Sequence, residues 1–153
     1  MSDVPTGAAT HVAAPGTLIE RALRLWSEPL TEAVALADFR TVYTDPVRVN
    51  GQLTELGDLA ARAQMLKSGL AAIHHRIEST VITPNRMAFA FTITGRHVGT
   101  LTTPLGDLPA THRNIAVTGL DIFELEPAFG RVSAIWAVAD WTSLFAQTAE
   151  NGT

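Results

Sequence analysis

The sequence has no cysteine and only one lysine, Lys67. Without cysteine the chain has no disulfide, no cysteine-ligated zinc or iron–sulfur site and no thiol nucleophile. Acidic residues outnumber basic residues by 15 to 11, and neither sign of charge forms a block. Because a surface that binds duplex nucleic acid needs clustered lysine and arginine to neutralise phosphates, we expect no nucleic-acid partner.

Several motifs that hold bound groups are also missing. The chain has no GxGxxG or GxxxxGK[ST] pattern for nucleotide phosphates, no GxSxG elbow and no HExxH metal motif. His74 and His75 are adjacent, so on a strand they point to opposite faces and cannot share a metal ion. We therefore expect no metal site.

The sequence has no long apolar segment that would mark a membrane span or a secretory signal. Residues 1–16 are small and polar and include two prolines, so we expect a flexible N-terminal tail there. With 153 residues, of which 46% are hydrophobic, the chain can bury one core of its own. We expect a single domain over 17–149 in a cytoplasmic protein with no membrane partner.

Hydrophobic periodicity predicts helices first and strands afterwards. A capping-box pattern at Thr17 opens a first helix that Pro29 ends. A second helix fits from about Thr31, and Asp58 is suited to cap a third. From about residue 75 the period changes to two, and a short helix follows at 142–149. The predicted strands are 75–83, 87–99, 112–126 and 131–140.

This order of elements indicates an α+β fold in which a curved antiparallel sheet wraps around the N-terminal helices. Gly95 and Gly119 interrupt the long strands, where a bulge or bend would let the sheet curl into a cone. A curled sheet capped by helices leaves a cavity at its mouth, and we look for function there.

The segment 131–141 ends in a carboxylate that follows an apolar row. On a regular strand Asp140 shares a face with Trp136 and with Val132, Ala134 and Val138. Such a carboxylate is either desolvated, and so suited to act as a general acid or base near neutral pH, or satisfied by a donor. In the second case Asp140 caps the last helix by accepting an N–H from Thr142 or Ser143. Spacing alone leaves both interpretations open.

Three other polar residues have two interpretations each. Arg48 and Asn50 share a face of a short strand, where they either point into the cone and bind a substrate oxygen or form the outer face of a half-buried strand. His97 follows the Gly95 bend, where it either enters the cavity as a proton shuttle or hydrogen-bond donor or has a structural role.

The order of elements and three segments resemble the SnoaL-like polyketide cyclases of the nuclear transport factor 2 superfamily. The segments are GRHVG at 95–99, NIAVTGLDIFELE at 114–126 and AIWAVADWTSLFAQ at 134–147, and the resemblance covers about 17–149. It implies a cone-shaped α+β fold and a homodimer formed through the open sheet face. It also implies a cyclase or isomerase, of the lyase or isomerase class, that needs no metal or organic cofactor. Such an enzyme would catalyse aldol cyclisation or isomerisation of a hydrophobic, oxygenated small molecule.

The resemblance implies roles for individual residues as well. Asp140 matches the family's acid/base aspartate in a W-x-x-x-D pattern, which removes a proton beside carbonyl groups and protonates the developing alkoxide. His97 matches a histidine of the G-x-H-x-G stretch and is our second catalytic candidate. We assign the remaining candidates to substrate binding, either as donors to an enolate oxygen or as apolar walls: Asn50, Arg48, Trp136, Phe89 and Phe91.

Two alternatives stay open. The first is a non-catalytic module that binds a small molecule, in which Asp140 is only a helix cap. The second is an epoxide hydrolase or dehydratase on the same fold, for which Asp45 is the nearby second carboxylate. Because side chains alternate along a strand, Asp45 and Arg48 would point to opposite faces of the sheet. This argues against a shared site for epoxide opening.

Overall fold

The structure is a computed structural model, and it describes residues 15–29 and 31–149. Most of the predicted tail, residues 1–14, lies outside the described residues. The first helix begins at Pro15, two residues before the predicted start of the domain. The helices are α1 (Pro15–Ser27), α2 (Glu32–Val42), α3 (Leu56–Gly69) and α4 (Trp141–Ala149).

The strands follow the predicted change of period, although it comes earlier than predicted: the first long strand begins at Leu70, five residues before its predicted start. The other three long strands differ from their predicted ranges by one or two residues at each end. The hairpin β5–β6 was not predicted; it turns at the Pro104–Gly106 segment. The strands are β1 (Tyr43–Val49), β2 (Gln52–Thr54), β3 (Leu70–Ile82), β4 (Arg86–His97), β5 (Leu101–Thr103), β6 (Gly106–Leu108), β7 (Asn114–Leu125) and β8 (Val132–Ala139).

Within the described part of the chain, six strands form one sheet in the order β2-β1-β8-β7-β4-β3. The predicted α+β class, with helices packed on a curved sheet, is confirmed. The sheet is mixed rather than wholly antiparallel, because β1 and the last long strand β8 run parallel. That pairing joins the helical first half of the chain to the strand-rich second half.

Helix α3 begins at Leu56, two residues before the predicted cap Asp58, which lies in its first turn instead. The N–H of Leu56 donates to Asp45 Oδ1 at 3.0 Å. A carboxylate from β1 therefore satisfies one of the free N–H groups at this helix start. This bond also gives Asp45 a structural role.

One extra residue in β8 changes which side chains face inwards. Leu125 of β7 pairs with Val132, whereas Glu124 pairs with Ala134, so Ser133 is a bulge. Val132 is fully buried, but beyond the bulge Trp136 is exposed. The expectation that Val132 and Trp136 share a face was therefore wrong, because it assumed unbroken alternation.

Two apolar clusters fill the space between the helices and the inward face of the sheet. The larger joins α1, α2 and α3 to β1, β4, β7 and β8, and includes Phe39, Tyr43, Phe89, Phe91 and Phe123. The smaller lies near α4 and the β5–β6 hairpin, and includes Leu70, Leu101, Ile115, Val117 and Leu144. The inward residues of β7 between Val117 and Phe123 lie where the two clusters meet.

Two amide side chains extend the sheet beyond the ends of its strands. Asn50 follows β1 and pairs with the backbone of Ala137: its Oδ1 accepts the N–H at 2.8 Å and its Nδ2 donates to the carbonyl at 3.2 Å. Gln147 of α4 pairs in the same way with Ala116, at 3.0 and 2.8 Å. Each amide replaces a missing strand and satisfies backbone groups at that edge.

Candidate functional site

The inward row of β7 contains one ionisable residue. Alternate residues of this strand face the helices, and all except one are apolar or glycine. The exception is Asp121, at the junction of the two apolar clusters. The inward row is Ile115, Val117, Gly119, Asp121, Phe123 and Leu125.

Burial raises the pKa of Asp121 to about 7, and no charge or hydrogen bond of the described residues opposes this effect. Its partners across the ladders are Phe89 on β4 and Ala137 on β8. The side chain nevertheless keeps partial contact with solvent. Asp121 is therefore a carboxyl that exchanges a proton near neutral pH.

Small residues adjoin Asp121 on two sides. Gly119 is its inward neighbour on β7, and Ala137 and Ala139 face it from β8. These residues project little above the sheet, and the side chains of the two apolar clusters pack into the space that this leaves. The Phe91 ring uses part of that space, since a Cβ added to Gly119 would lie 2.7 Å from Phe91 Cζ.

Aromatic rings form the apolar wall beside Asp121. The rings of Phe89 and Phe123 meet edge to face, with centroids 5.0 Å apart at 81°. Phe89 and Phe91 have centroids 5.6 Å apart. Edge-to-face and offset rings are the favoured aromatic arrangements. The structure thus places Phe89 and Phe91, two predicted substrate-binding residues, on the same face as Asp121.

Tyr43 supplies a buried hydroxyl in the same region. Its ring stacks on Phe39 and meets Phe123 edge to face. Its hydroxyl accepts a hydrogen bond from Trp26 Nε1 at 3.3 Å. Burial raises the pKa of Tyr43, and the charge of Asp121 raises it further. The phenol therefore keeps its proton and remains a hydrogen-bond donor.

Asp140 lies outside this group of residues. Its side chain is exposed, and its Oδ1 accepts the N–H of Ser143 at 3.0 Å. This is the capping geometry that the sequence allowed, and it satisfies the first turn of α4. The acid/base role of Asp140 stays a prediction.

His97 is fully buried near the end of β4, beside the β5–β6 hairpin. Its Nε2 lies 3.2 Å from the carbonyl of Leu108, and its Nδ1 lies 3.1 Å from Thr111 Oγ1. Because a carbonyl only accepts, Nε2 carries the proton of the neutral ring and Nδ1 accepts from the hydroxyl. Both ring nitrogens are thus used in packing this corner of the fold.

The other predicted binding residues are exposed. Arg48 and Asn50 are exposed, and Asn50 is engaged with the backbone of Ala137. Trp136 lies on the outer face, where its Nε1 donates to Glu124 Oε2 at 2.9 Å. The structure therefore does not bring these three side chains together with Phe89 and Phe91.

Sequence reasoning missed Asp121, although the signal was present. In the segment NIAVTGLDIFELE, alternation from Ile115 to Leu125 gives an inward row with one carboxylate among apolar residues. The same argument was applied to the strand that ends at Asp140, where the bulge at Ser133 disturbs it. No bulge interrupts the pairing of β7 with β4.

Comparison with known families agrees with this architecture. The family model described as "SnoaL-like polyketide cyclase" matches residues 19–148. The chain belongs to the SnoaL-like polyketide cyclase family. No curated protein matches its sequence at a significant level.

Solved structures with the same fold cover most of this SnoaL-like chain. TsrD from Streptomyces laurentii superposes with a TM-score of 0.70 at 18% identity, over 95% of this chain and 98% of its own. A SnoaL-like polyketide cyclase from Agrobacterium tumefaciens has a TM-score of 0.65 at 18% identity, with 85% and 96% covered. An NTF2-like protein of unknown function from an Exiguobacterium species has a TM-score of 0.58 at 19% identity, with 80% and 98% covered. At these identities the likeness establishes the fold.

Two surface grooves of this SnoaL-like domain lie away from Asp121. One, of about 280 Å³, is lined by charged residues of α1 and α2 that include Arg21, Arg24 and Asp38. The other, of about 640 Å³, lies beside Asp45 and Leu53. Both are open and mix charges of both signs, so neither offers the desolvated ionisable group that acid/base chemistry requires.

The described ranges, 15–29 and 31–149, contain no group of three histidine, aspartate or glutamate side chains that could hold a metal ion. None of their helices is long and apolar enough to cross a membrane.

Proposed function

We propose that this protein is an acid/base enzyme that acts without a cofactor on a hydrophobic, oxygenated small molecule, with Asp121 as the catalytic carboxyl. The observation that carries the proposal is the position of Asp121 in an otherwise apolar inward row, with a pKa of about 7. A base with a pKa near the working pH is deprotonated in a large fraction and still takes up a proton readily. The aromatic wall suits a flat ring system.

The reaction we propose is an intramolecular aldol cyclisation or an isomerisation. The Asp121 carboxylate removes a proton from a carbon next to a carbonyl, and the electron pair of that bond moves to the carbonyl oxygen to give an enolate. In the cyclisation the enolate carbon bonds to a second carbonyl carbon of the same molecule. The resulting alkoxide takes the proton back from Asp121. In the isomerisation the proton returns to a different carbon.

Tyr43 is our candidate for the donor that stabilises the enolate oxygen. Its hydroxyl stays protonated in the interior, and the Asp121 charge acts on it. A donor that is held in place by packing costs little reorganisation when charge develops on an oxygen. The stacking on Phe39 and the bond from Trp26 hold the ring in this way.

A deuterium-exchange assay tests the carboxyl directly. Aryl ketones such as 2-tetralone are incubated with the protein in D₂O, and loss of the proton next to the carbonyl is followed by NMR. We expect the protein to accelerate exchange, with a rate that rises with pH through about 7 as Asp121 loses its proton.

Two matched variants decide which aspartate acts. We expect Asp121→Asn to lower the rate by about 100-fold or more, the usual effect of losing a general base. Asp140→Asn should leave the rate close to that of the wild type. The reverse result would return the role to Asp140. Binding of ketones with no exchange in any of the proteins would favour the non-catalytic binding module.

We also propose that the protein is a homodimer formed through the outer face of the sheet. Ile122 lies beside Trp136, and Leu120 lies beside Val138, and these four side chains are 42–68% exposed. A contiguous apolar patch of this kind is typical of an interface. The same face on a second copy is the occupant that a twofold axis would supply.

Light scattering on a sizing column tests the dimer. We expect a dimer for the wild type and a monomer for Leu120→Glu, which places a charge at the centre of the patch. Phe129→Ser is the control, because Phe129 is 80% exposed but lies in the β7–β8 turn. A monomeric wild type, or a dimeric Leu120→Glu variant, would contradict the proposal.

A further inference from the structure

Strand β1 ends before it reaches the part of β8 that faces Asp121. Its last ladder pairing with β8 joins Val49 to Ile135, and the chain then turns towards β2. Asp121 lies further along the sheet, opposite Ala137 of β8. Within the described residues, β8 therefore has β7 on one side at this level and no strand on the other.

The side chain of Asn50 takes the place of the missing strand. The backbone N–H of Asn50 donates to the carbonyl of Ile135 at 2.8 Å, which continues the pairing of β1 by one bond. Its side-chain amide reaches one step further and binds both backbone groups of Ala137, at 2.8 and 3.2 Å. Two hydrogen bonds from one amide fix both the position and the orientation of β8 at Ala137.

The bonds to Asn50 determine how Ala137 faces Asp121. The N–H and the carbonyl of one strand residue point to the same side of the strand, so both groups of Ala137 point away from β7. The alternation of the ladder agrees, since Asp140 three steps along donates its N–H to the carbonyl of Thr118. Asp121 and Ala137 therefore form a pair without mutual hydrogen bonds, in which the Cα atoms are about 4.5 Å apart and the side chains are close.

Ala137 forms one of the apolar walls beside the Asp121 carboxyl. The two ladder partners of Asp121, Phe89 and Ala137, both pack in the larger apolar cluster, whose residues from α1, α2 and α3 are apolar as well. The titratable group that interacts with Asp121 is Tyr43. Phe89 is 1% exposed, whereas Ala137 is half-buried. The carboxyl is therefore shielded less completely on the β8 side, and a displacement of β8 there would admit water.

We propose that Asn50 is a positioning residue for Asp121: its side-chain amide holds β8 beside β7 where Ala137 faces the carboxyl, and so keeps water away from that carboxyl. The proposal rests on the function proposed for Asp121 and adds to it a residue that does not touch the substrate. Both polar atoms of the Asn50 amide are engaged with the backbone of Ala137. Its effect on the reaction is therefore indirect.

Gln147 offers a matched control in the same sheet. Its side-chain amide binds both backbone groups of Ala116 on β7, beyond the end of β8. The chemistry is that of the Asn50 pairing, but Ala116 is exposed and lies away from Asp121 along β7. A general loosening of the sheet edges would make both amides matter, whereas the proposal requires an effect of Asn50 alone.

Titration of the Asp121 carboxyl by carbon-detected NMR tests the proposal without a substrate, and Asp121→Asn identifies its signal. Asn50→Gly removes the amide and allows the φ of +49° at residue 50. We expect the pKa of Asp121 to be lower by about one in Asn50→Gly than in the wild type, because water reaches the carboxyl. Gln147→Ala should leave this pKa unchanged.

Hydrogen exchange of single backbone amides shows that each variant opens its own edge and that the rest of the protein stays folded. The N–H of Ala137 should exchange about tenfold faster in Asn50→Gly, the usual effect of losing one hydrogen bond. The N–H of Ala116 should do the same in Gln147→Ala. Protection of the other strand amides in both variants confirms that the Asp121 titration is measured in the folded state.

The outcomes separate the positioning role from the catalytic role. An unchanged Asp121 pKa in Asn50→Gly, or an equal fall in Gln147→Ala, overturns the role of Asn50 and leaves that of Asp121 intact. A fall in Asn50→Gly alone, with a matching fall in the pH midpoint of ketone deuterium exchange, supports both roles. The same fall without ketone exchange in the wild type supports the role of Asn50 and overturns the catalytic role. A wild-type pKa near 3.8 overturns both.

Discussion

The Phe91 ring lies directly against Gly119, and the space that a Cβ would need at residue 119 is filled by the ring. A Cβ there would be 2.7 Å from Cζ and 3.2 Å from each Cε atom of Phe91. Both residues are buried and pair across the β4–β7 ladder. The glycine therefore makes room for the ring beside Asp121, whereas the bulge that the sequence suggested at Gly119 is absent from both ladders of β7 at this residue.

We predict that Gly119→Ala lowers the free energy of unfolding by about 1–3 kcal/mol, the usual cost of overpacking a core. The added methyl group must displace the Phe91 ring. A second variant, Gly119→Ala combined with Phe91→Leu, should lose less stability than the two single changes together predict, because the smaller side chain makes room. Urea unfolding of the four proteins measures this coupling, and strict additivity would show that the ring and the glycine are independent.

We predict a pH-dependent difference in stability between Asp121→Asn and the wild type. Burial raises the pKa of Asp121 from 3.8 to about 7 in the folded protein. The folded state therefore holds a proton that the unfolded chain releases, and the stabilisation from Asp121 is present below pH 3.8 and lost as the pH rises through about 7. The asparagine variant has no such loss.

The size and sign of this difference can be measured by denaturant unfolding at about pH 4 and pH 8. The pKa values of Asp121 in the folded and unfolded states differ by about three, which corresponds to at most about 4 kcal/mol in the free energy of unfolding. At the higher pH, Asp121→Asn should be more stable than the wild type by up to this amount. His75 contributes the opposite slope between pH 4 and 6.5, because its pKa is lowered. That contribution is common to both proteins and cancels in the difference. A constant difference across the range would show that Asp121 is solvated.

We predict that Asp140 contributes to stability mainly as a helix cap. Asp140→Ala should lower the free energy of unfolding by about 1 kcal/mol, the usual cost of losing a cap. Asp140→Asn should cost little, because asparagine caps as well as aspartate. Thermal or denaturant unfolding gives both values, and equal losses in the two variants would indicate that the charge matters more than the cap.

We predict that Asn50 stabilises the fold through both its side chain and its backbone. Asn50 has a φ of +49°, which asparagine and glycine tolerate better than alanine. Asn50→Ala should lower the free energy of unfolding by about 2–3 kcal/mol, because it loses two hydrogen bonds to Ala137 and adds backbone strain. Asn50→Gly also loses the two hydrogen bonds, but glycine adopts this backbone conformation without strain. It should therefore lower the free energy of unfolding by about 1 kcal/mol less than Asn50→Ala does. Equal values for the two variants would exclude the backbone contribution.

The sequence allowed the α+β architecture to be predicted because the period of its apolar residues changes once, from helical spacing to alternation. Strand ends such as Pro84 and Gly130 are marked by turn residues. The parallel pairing of β1 with β8 was not predictable in this way. It joins residues about ninety positions apart, and no local pattern encodes which distant strand lies beside another.

The candidate site was predicted only in part. Phe89 and Phe91 follow simple alternation on an uninterrupted strand, and they lie where this alternation places them. The same rule places Asp121 on the inward face, whereas the strand that ends at Asp140 contains a bulge that breaks the alternation.

The bulge at Ser133 also affects how relatives should be aligned with this chain. In a regular strand, residues an even number of positions apart face the same side of the sheet. Two such residues of β8 face opposite sides when the bulge lies between them. A chain that lacks the extra residue would carry an inward side chain at the position where this one carries an outward side chain. The W-x-x-x-D pattern lies after the bulge, so matching such a chain by this pattern without a gap at Ser133 compares inward residues of one protein with outward residues of the other before the bulge. Aligning β8 through its pairing with β7, which contains no bulge of its own, avoids that error.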